Sequence, residues 1–302
     1  MQFVYRMPFW TSPPDSEFAT QDAIMDLSAL AEAAGFSAVA FTEHPIPAQT
    51  WRESGGHDAL DPFVALSFAA AATRSLRLLT YLVVLPYRNP FLLAKSVASL
   101  DAVSGGRLIL GLGAGYQKSE FFALGVDFEE RNALFDESLA VMKRAWSGEP
   151  VSVQGRHFSA RGVTAQPTPA QKPHPPLWLG GNSKLTIRRV AEQAQGWMAL
   201  PTSPGRGSVL RSPELNDLRD LEAKIAELRG HAASIGRTEP VTIHQSLNDG
   251  HGAAPLAAIR DTARDLAGLG VAWGGWQACA RTLAEAKDEM KRFADVVIAR
   301  AD

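Results

Sequence analysis

Cysteine is almost absent: Cys279 is the only one in 302 residues, so no internal disulfide can form. A chain built without disulfides suits a reducing compartment. Charge of one sign is also lacking, because 30 Lys and Arg face 32 Asp and Glu, leaving a net charge of −2. Nothing in that balance, with Lys and Arg spread along the chain, favours nucleic acid or an anionic membrane surface. No apolar run approaches the roughly 20 residues that a bilayer span needs, and no basic-then-apolar leader opens the chain. A soluble, cytoplasmic protein without nucleic-acid, membrane or metal partners is therefore expected.

What the chain does have is apolar content, 46% of its residues, arranged in a regular alternation. Short apolar stretches read as strands at residues 2–7, 37–42, 76–85, 107–113, 176–181, 196–201, 241–247 and 271–278. Amphipathic or capped stretches between them read as helices at 20–35, 61–73, 89–104, 130–146, 183–195, 214–234, 255–270 and 282–299. Two of these begin with a polar cap followed by proline, Asp61-Pro62 and Asn89-Pro90. The rhythm breaks once, at about 150–176, where the pattern reads as an inserted β-hairpin and proline-rich loop. A doubly wound sheet would alternate too. Eight repeats without a second domain favour a single (β/α)8 TIM barrel over residues 1–302.

In such a barrel, chemistry sits at the C-terminal ends of the strands. Strand two ends in "FTEHP", which places Glu43 and His44 at that face. Histidine near its ordinary pKa of about 6.5 moves protons at neutral pH. Strand four runs into "GLGAGY", residues 111–116, a poor match to a dinucleotide fingerprint because its third glycine comes too early. Those glycines read instead as clearance where backbone approaches a flat ligand. Strand five ends in "GGNS", residues 180–183, directly before a helix. Free N–H groups there attract a phosphate, although a plain Asn or Ser helix cap also fits. Trp10, Trp51, Tyr116, Trp197 and Trp276 fall at or near strand ends, and His244 lies within strand seven, which suits a planar or apolar substrate.

The segments "FTEHP", "LPYRNPFLLAKSVASLDAVSGGRLILGLGAGY" and "PLWLGGNSKLTIRRVAEQAQGWM" together resemble the luciferase-like monooxygenase superfamily, and within it most closely the coenzyme F420-dependent oxidoreductases. The resemblance implies that Glu43 and His44 lie beside the reactive edge of a flavin or deazaflavin, with Thr42 adjacent. It implies a non-proline cis peptide at Leu82–Val83 backing the ring. It further implies that Gly113, Ala114 and Gly115 run along the cofactor and that Gly180, Gly181, Asn182 and Ser183 form its phosphate site. A homodimer served by a separate cofactor reductase is also implied. One departure stands out: Tyr116 occupies the position where the sugar-phosphate dehydrogenase branch carries a catalytic glutamate, so that branch's substrate is not carried over.

The expected activity is hydride transfer between F420 and a small organic substrate, with His44 handling the proton, Glu43 orienting it, and Trp10, Trp51, Tyr116, His244 and Trp276 lining the substrate side. The alternatives are an FMN-dependent two-component monooxygenase using O2, and a non-catalytic flavin-binding barrel.

Overall fold

The computed structural model describes residues 1–9, 17–202, 207, 211–248 and 254–299. Its strands are β1 (Gln2–Arg6), β2 (Ala38–Phe41), β3 (Arg77–Thr80), β4 (Val83–Val84), β5 (Leu108–Gly113), β6 (Val151–Gln154), β7 (Ser159–Val163), β8 (Leu177–Gly180), β9 (Gly196–Ala199), β10 (Thr242–Ser246) and β11 (Trp273–Trp276). Parallel pairing runs β3-β2-β1-β11-β10-β9-β8-β5, and a further β3–β5 pairing closes the ring into an eight-stranded barrel. The pair β6–β7 is antiparallel and stands apart, as the hairpin reading expects.

The helices are α1 (Gln21–Ala33), α2 (Gln49–Glu53), α3 (Pro62–Ala72), α4 (Pro90–Val103), α5 (Lys118–Ala123), α6 (Arg131–Ala145), α7 (Lys184–Gln193), α8 (Leu218–Ser234), α9 (Leu256–Gly268) and α10 (Leu283–Phe293). The two proline-led starts behave as their sequence dictates. Asp61 accepts from the N–H groups of Phe63 and Val64, and Asn89 from those of Phe91 and Leu92. Two short helices, α2 and α5, were not expected. Both follow barrel strands on the C-terminal face, and both carry site residues.

Alternation along the strands sorts the core into two bodies. Val4, Ala38, Ala40, Leu79, Ile109, Trp178, Met198 and Trp273 fill the barrel interior. Their neighbours, among them Tyr5, Val39, Phe41, Leu78, Leu110, Trp197 and Trp276, join the larger core beneath the helices. β10 contributes a histidine inside: the His244 ring lies 5.3 Å from Tyr81 and 6.1 Å from Trp178.

The expected third strand, residues 76–85, is broken. β3 pairs with β5 through Leu79↔Ile109, and β4 resumes that pairing at Val83↔Leu112, so one strand takes an extra residue between the two points. This is a bulge. An apolar run hides it, because one additional residue leaves the composition unchanged. The non-proline cis peptide lies within the bulge at Tyr81–Leu82, one bond earlier than the expected Leu82–Val83. Thr80 bridges the gap, its hydroxyl donating to Gly111 O and accepting from Gly111 N–H, both at 2.8 Å.

Candidate active site

β2 delivers Glu43 and His44 to the barrel mouth, but they turn to different partners. Glu43 is buried, accepting from the Val84 N–H at 2.6 Å and from the Arg88 guanidinium, whose Nε lies at 2.7 Å. Arg88 also reaches Asp61 at 2.6 Å. Burial pushes the Glu43 carboxyl above its ordinary range, against the pull of Arg88 and the Val84 N–H. For Arg88 burial works against the charge, yet Glu43 and Asp61 hold it above its usual value. The expected role of Glu43 in orienting the His44 ring is thus corrected: Glu43 ties the strand-three bulge to β2.

The group that orients His44 is Glu120, on α5. Its Oε2 lies 3.3 Å from His44 Nδ1, and it also accepts from the Tyr87 hydroxyl at 3.1 Å and from the Ile46 N–H at 3.3 Å. Glu120 is only 1% exposed, so these three contacts must satisfy it. Burial, followed by the Glu120 charge, keeps the Tyr87 hydroxyl protonated and therefore a donor. Gln117 completes the shell, with its amide 3.1 Å from the same Nδ1. The Gln117 atom at that distance is the amide nitrogen; with the Nδ1 proton directed at the Glu120 carboxylate, the tautomer that leaves Nε2 as the acceptor, the amide is assigned turned over so that its oxygen faces the ring. Among the described residues nothing hydrogen-bonds Nε2. Sequence reasoning passed over Glu120, although Gln117, Glu120 and Phe121 share the i, i+3, i+4 spacing of one buried helical face.

Aromatic groups wall the His44 ring. Trp51, from α2, lies at 4.7 Å, His57 at 4.9 Å edge-on, and Tyr116 at 6.2 Å. Gly56 must lack a side chain because a Cβ there would collide with the Trp51 indole. An Arg52–Asp58 ion pair of 2.7 Å closes this loop. Trp51 and Tyr116 are thus brought together beside His44, and His57 joins them unforeseen.

The glycines give clearance, but to protein. A Cβ on Gly113 would sit 2.5 Å from Leu82, and one on Gly180 would collide with the same side chain. Leu82, half-buried, therefore lies across the ends of β5 and β8, while Val83 is buried beneath it. Gly115, at φ +79°, leaves room for Val84 and Phe121. Thr42, Ala114, Gly115, Gly180, Gly181 and Ser183 are all partly accessible at the mouth.

At the start of α7, Ser183 caps the helix by accepting from the Thr186 N–H at 3.1 Å. Gly181 adopts φ +114°, a region closed to most residues. Its N–H is committed to Met198 O at 3.3 Å, and the Asn182 N–H to the Ser212 hydroxyl at 3.0 Å. The Asn182 side chain points into the protein, donating to Leu200 O and Pro213 O and accepting from the Leu200 N–H. Any phosphate at this helix start would meet Ser183 and the first turn of α7 rather than Asn182.

Two tryptophans expected near the substrate lie elsewhere. Trp276 points outward and stacks on Phe293 at 4.3 Å, beneath α10, because it falls on the opposite face of β11 from Trp273. Trp197 is likewise outside the barrel, donating its indole N–H to Gly181 O at 2.8 Å. His244 is enclosed in the barrel interior. Trp10 lies outside the described residues.

A family model described as luciferase-like monooxygenase matches residues 1–295. Among curated relatives, the F420-dependent glucose-6-phosphate dehydrogenase of Beutenbergia cavernae is 32% identical over 204 residues, covering 66% of this chain and 57% of that protein. The first curated relatives matched are spanned over 44% and 65% of their lengths. Among solved structures, the monooxygenase RslO1 from Streptomyces bottropensis superposes with a TM-score of 0.82 at 24% identity over the whole of both chains. The coenzyme F420-dependent tetrahydromethanopterin reductase from Methanopyrus kandleri gives 0.74 at 15% identity, covering 100% of this chain and 99% of that one. Among the described residues no helix is long and apolar enough to cross a membrane.

Proposed function

This chain belongs to the luciferase-like monooxygenase family, and we propose that within it the protein is a coenzyme F420-dependent oxidoreductase acting on a small planar organic substrate. One observation carries the reading: His44 is fixed from behind by a buried carboxylate while aromatic rings surround its other faces. Such a group is built to handle a proton, since orientation and tautomer are set before substrate arrives. The F420-dependent relative supports the choice of cofactor.

The residues at the mouth fit such a group. Leu82 offers an apolar backing across β5 and β8, with Thr42, Ala114 and Gly115 at its edges. The ten-residue helix α7, with Gly181 and Ser183 accessible at its start, offers a partial positive charge for a phosphate. When bound, a deazaflavin supplies hydride transfer without oxygen chemistry.

The chain's own part is positioning and proton handling. Glu120 holds the Nδ1 proton of His44 in place, so Nε2 takes up or returns the substrate proton. Tyr87 and the Ile46 N–H keep the Glu120 carboxylate from rotating away. Trp51, His57 and Tyr116 exclude water from the ring and give a planar substrate a surface to stack on. On this reading the protein works as a homodimer alongside a separate reductase that regenerates the cofactor.

Titration of the apoprotein with F420 and FMN, followed by fluorescence quenching, tests the cofactor. Tighter binding of F420 is expected; submicromolar FMN binding with none for F420 moves the reading to a two-component monooxygenase.

A further inference from the structure

The barrel interior, just beneath its mouth, carries a second set of polar groups, on β1, on β10 and directly after β11, that the proton-handling apparatus does not use. Arg6 ends β1 and is 6% exposed. Its Nη2 donates to Asn248 O at 2.8 Å and Asn248 Oδ1 at 3.2 Å, while its buried Nε has no partner. Among the described residues Arg6 makes no ion pair. A buried cation without an anion is costly, and proteins keep one where a ligand completes the pair.

The surroundings repeat that incompleteness. His244 is fully buried, and neither ring nitrogen has a hydrogen-bond partner. Burial, followed by the charge on Arg6, lowers its pKa to about 3, so the ring stays neutral with one donor and one acceptor nitrogen. Gln277 is also fully buried with both amide atoms unpartnered. Gly275 makes room for the His244 ring and the Arg6 stem: a Cβ there would stand 2.8 Å from His244 Nε2 and 3.7 Å from Arg6 Cδ. The half-buried Tyr81 ring lies 5.4 Å from the guanidinium and 5.3 Å from His244, giving a flat apolar face beside the charge.

We propose that Arg6, with His244 and Gln277 beside it, anchors a carboxylate or other delocalised oxyanion carried by the planar substrate. This rests on reading the mouth as a substrate site. A guanidinium edge matches a planar oxyanion in both charge and geometry, which a lysine point charge would not. The placement is productive. Arg6 is the register partner of Ala40 on the neighbouring strand, four residues before His44, so a substrate held at Arg6 extends along the strand that carries the proton group.

The test is isothermal titration of benzoate and of its neutral isostere benzamide, into cofactor-free and into F420-loaded protein. Benzoate should bind at least about tenfold more tightly than benzamide to the wild type. Arg6→Met should erase that preference, and Arg6→Lys should keep only part of it. F420 affinity should stay within about twofold in both variants, because Arg6 is assigned to the substrate. Equal affinity for the two probes, absence of benzoate binding at millimolar concentration, or a preference surviving in Arg6→Met overturns the anchor. If Arg6→Met does not fold, the wild-type comparison and Arg6→Lys still decide. Failure of wild-type protein to bind F420 overturns the cofactor reading alone, since the benzoate difference is also read on cofactor-free protein.

Discussion

The unpartnered His244 makes a stability prediction that needs no substrate. Its folded pKa lies near 3, whereas an unfolded histidine titrates near 6.5. Between those values the unfolded chain binds a proton that the folded one refuses, so stability falls as pH drops below 6.5. The loss is about 1.4 kcal/mol per pH unit, or about 2 kcal/mol on going from pH 7 to pH 5. That figure requires only a folded value below about 4, because at pH 5 the native ring is then still neutral.

The perturbation is His244→Phe, which keeps a flat ring and removes the titration. Urea melts of both proteins at pH 7 and pH 5 isolate the histidine, because every other group titrates in both. At pH 7 the variant should be no less stable than the wild type, since replacing unpartnered buried polar atoms with apolar ones is close to neutral. At pH 5 the variant should gain about 2 kcal/mol relative to the wild type. An identical loss in both proteins would mean that native His244 accepts a proton readily, and the enclosed neutral ring would be refuted.

Three further outcomes follow from the site. Glu120→Gln should lower turnover by about 10- to 100-fold, the worth of a charge-assisted hydrogen bond, and steady-state kinetics with F420 should show the loss in kcat rather than in cofactor affinity. Glu43→Ala should leave the Val84 N–H and half of the Arg88 fork unpaired, costing about 2–4 kcal/mol in a denaturant melt, with wild-type stability telling against the tie to the bulge. Ser183→Ala should cost about 1 kcal/mol of stability through the lost cap, and cofactor titration of the same variant separates capping from phosphate contact.

The eight repeats were legible because burial beneath a ring of helices writes itself into the chain as short apolar runs separated by amphipathic ones. The same burial hides which way a strand residue points. Both faces of β11 are apolar, so "WGGW" gives no alternation, and Trp273 and Trp276 look equally suited to the mouth. They lie three apart, and an odd separation puts them on opposite faces. Glu43 and His44 offered the same clue: adjacent residues at a strand end diverge, so the carboxylate turns away from the next residue's ring. Glycine clearance was legible as well, but its occupant, the Leu82 side chain, depends on a bulge that composition cannot register.

Contacts between loops were the part beyond reach. His44 and Glu120 meet across 76 positions, each on a segment following a different strand. The segment after β4 lies between two buried acids: Tyr87 donates to Glu120, and Arg88 pairs with Glu43. Neighbouring residues of one turn therefore bind the loop after β2 to the loop after β5. In that arrangement the two carboxylates divide the work, Glu43 fixing the backbone of the bulge and Glu120 fixing the His44 ring. Removing either acid frees a different end of the same cross-link, which is why Glu43→Ala should register in stability and Glu120→Gln in turnover.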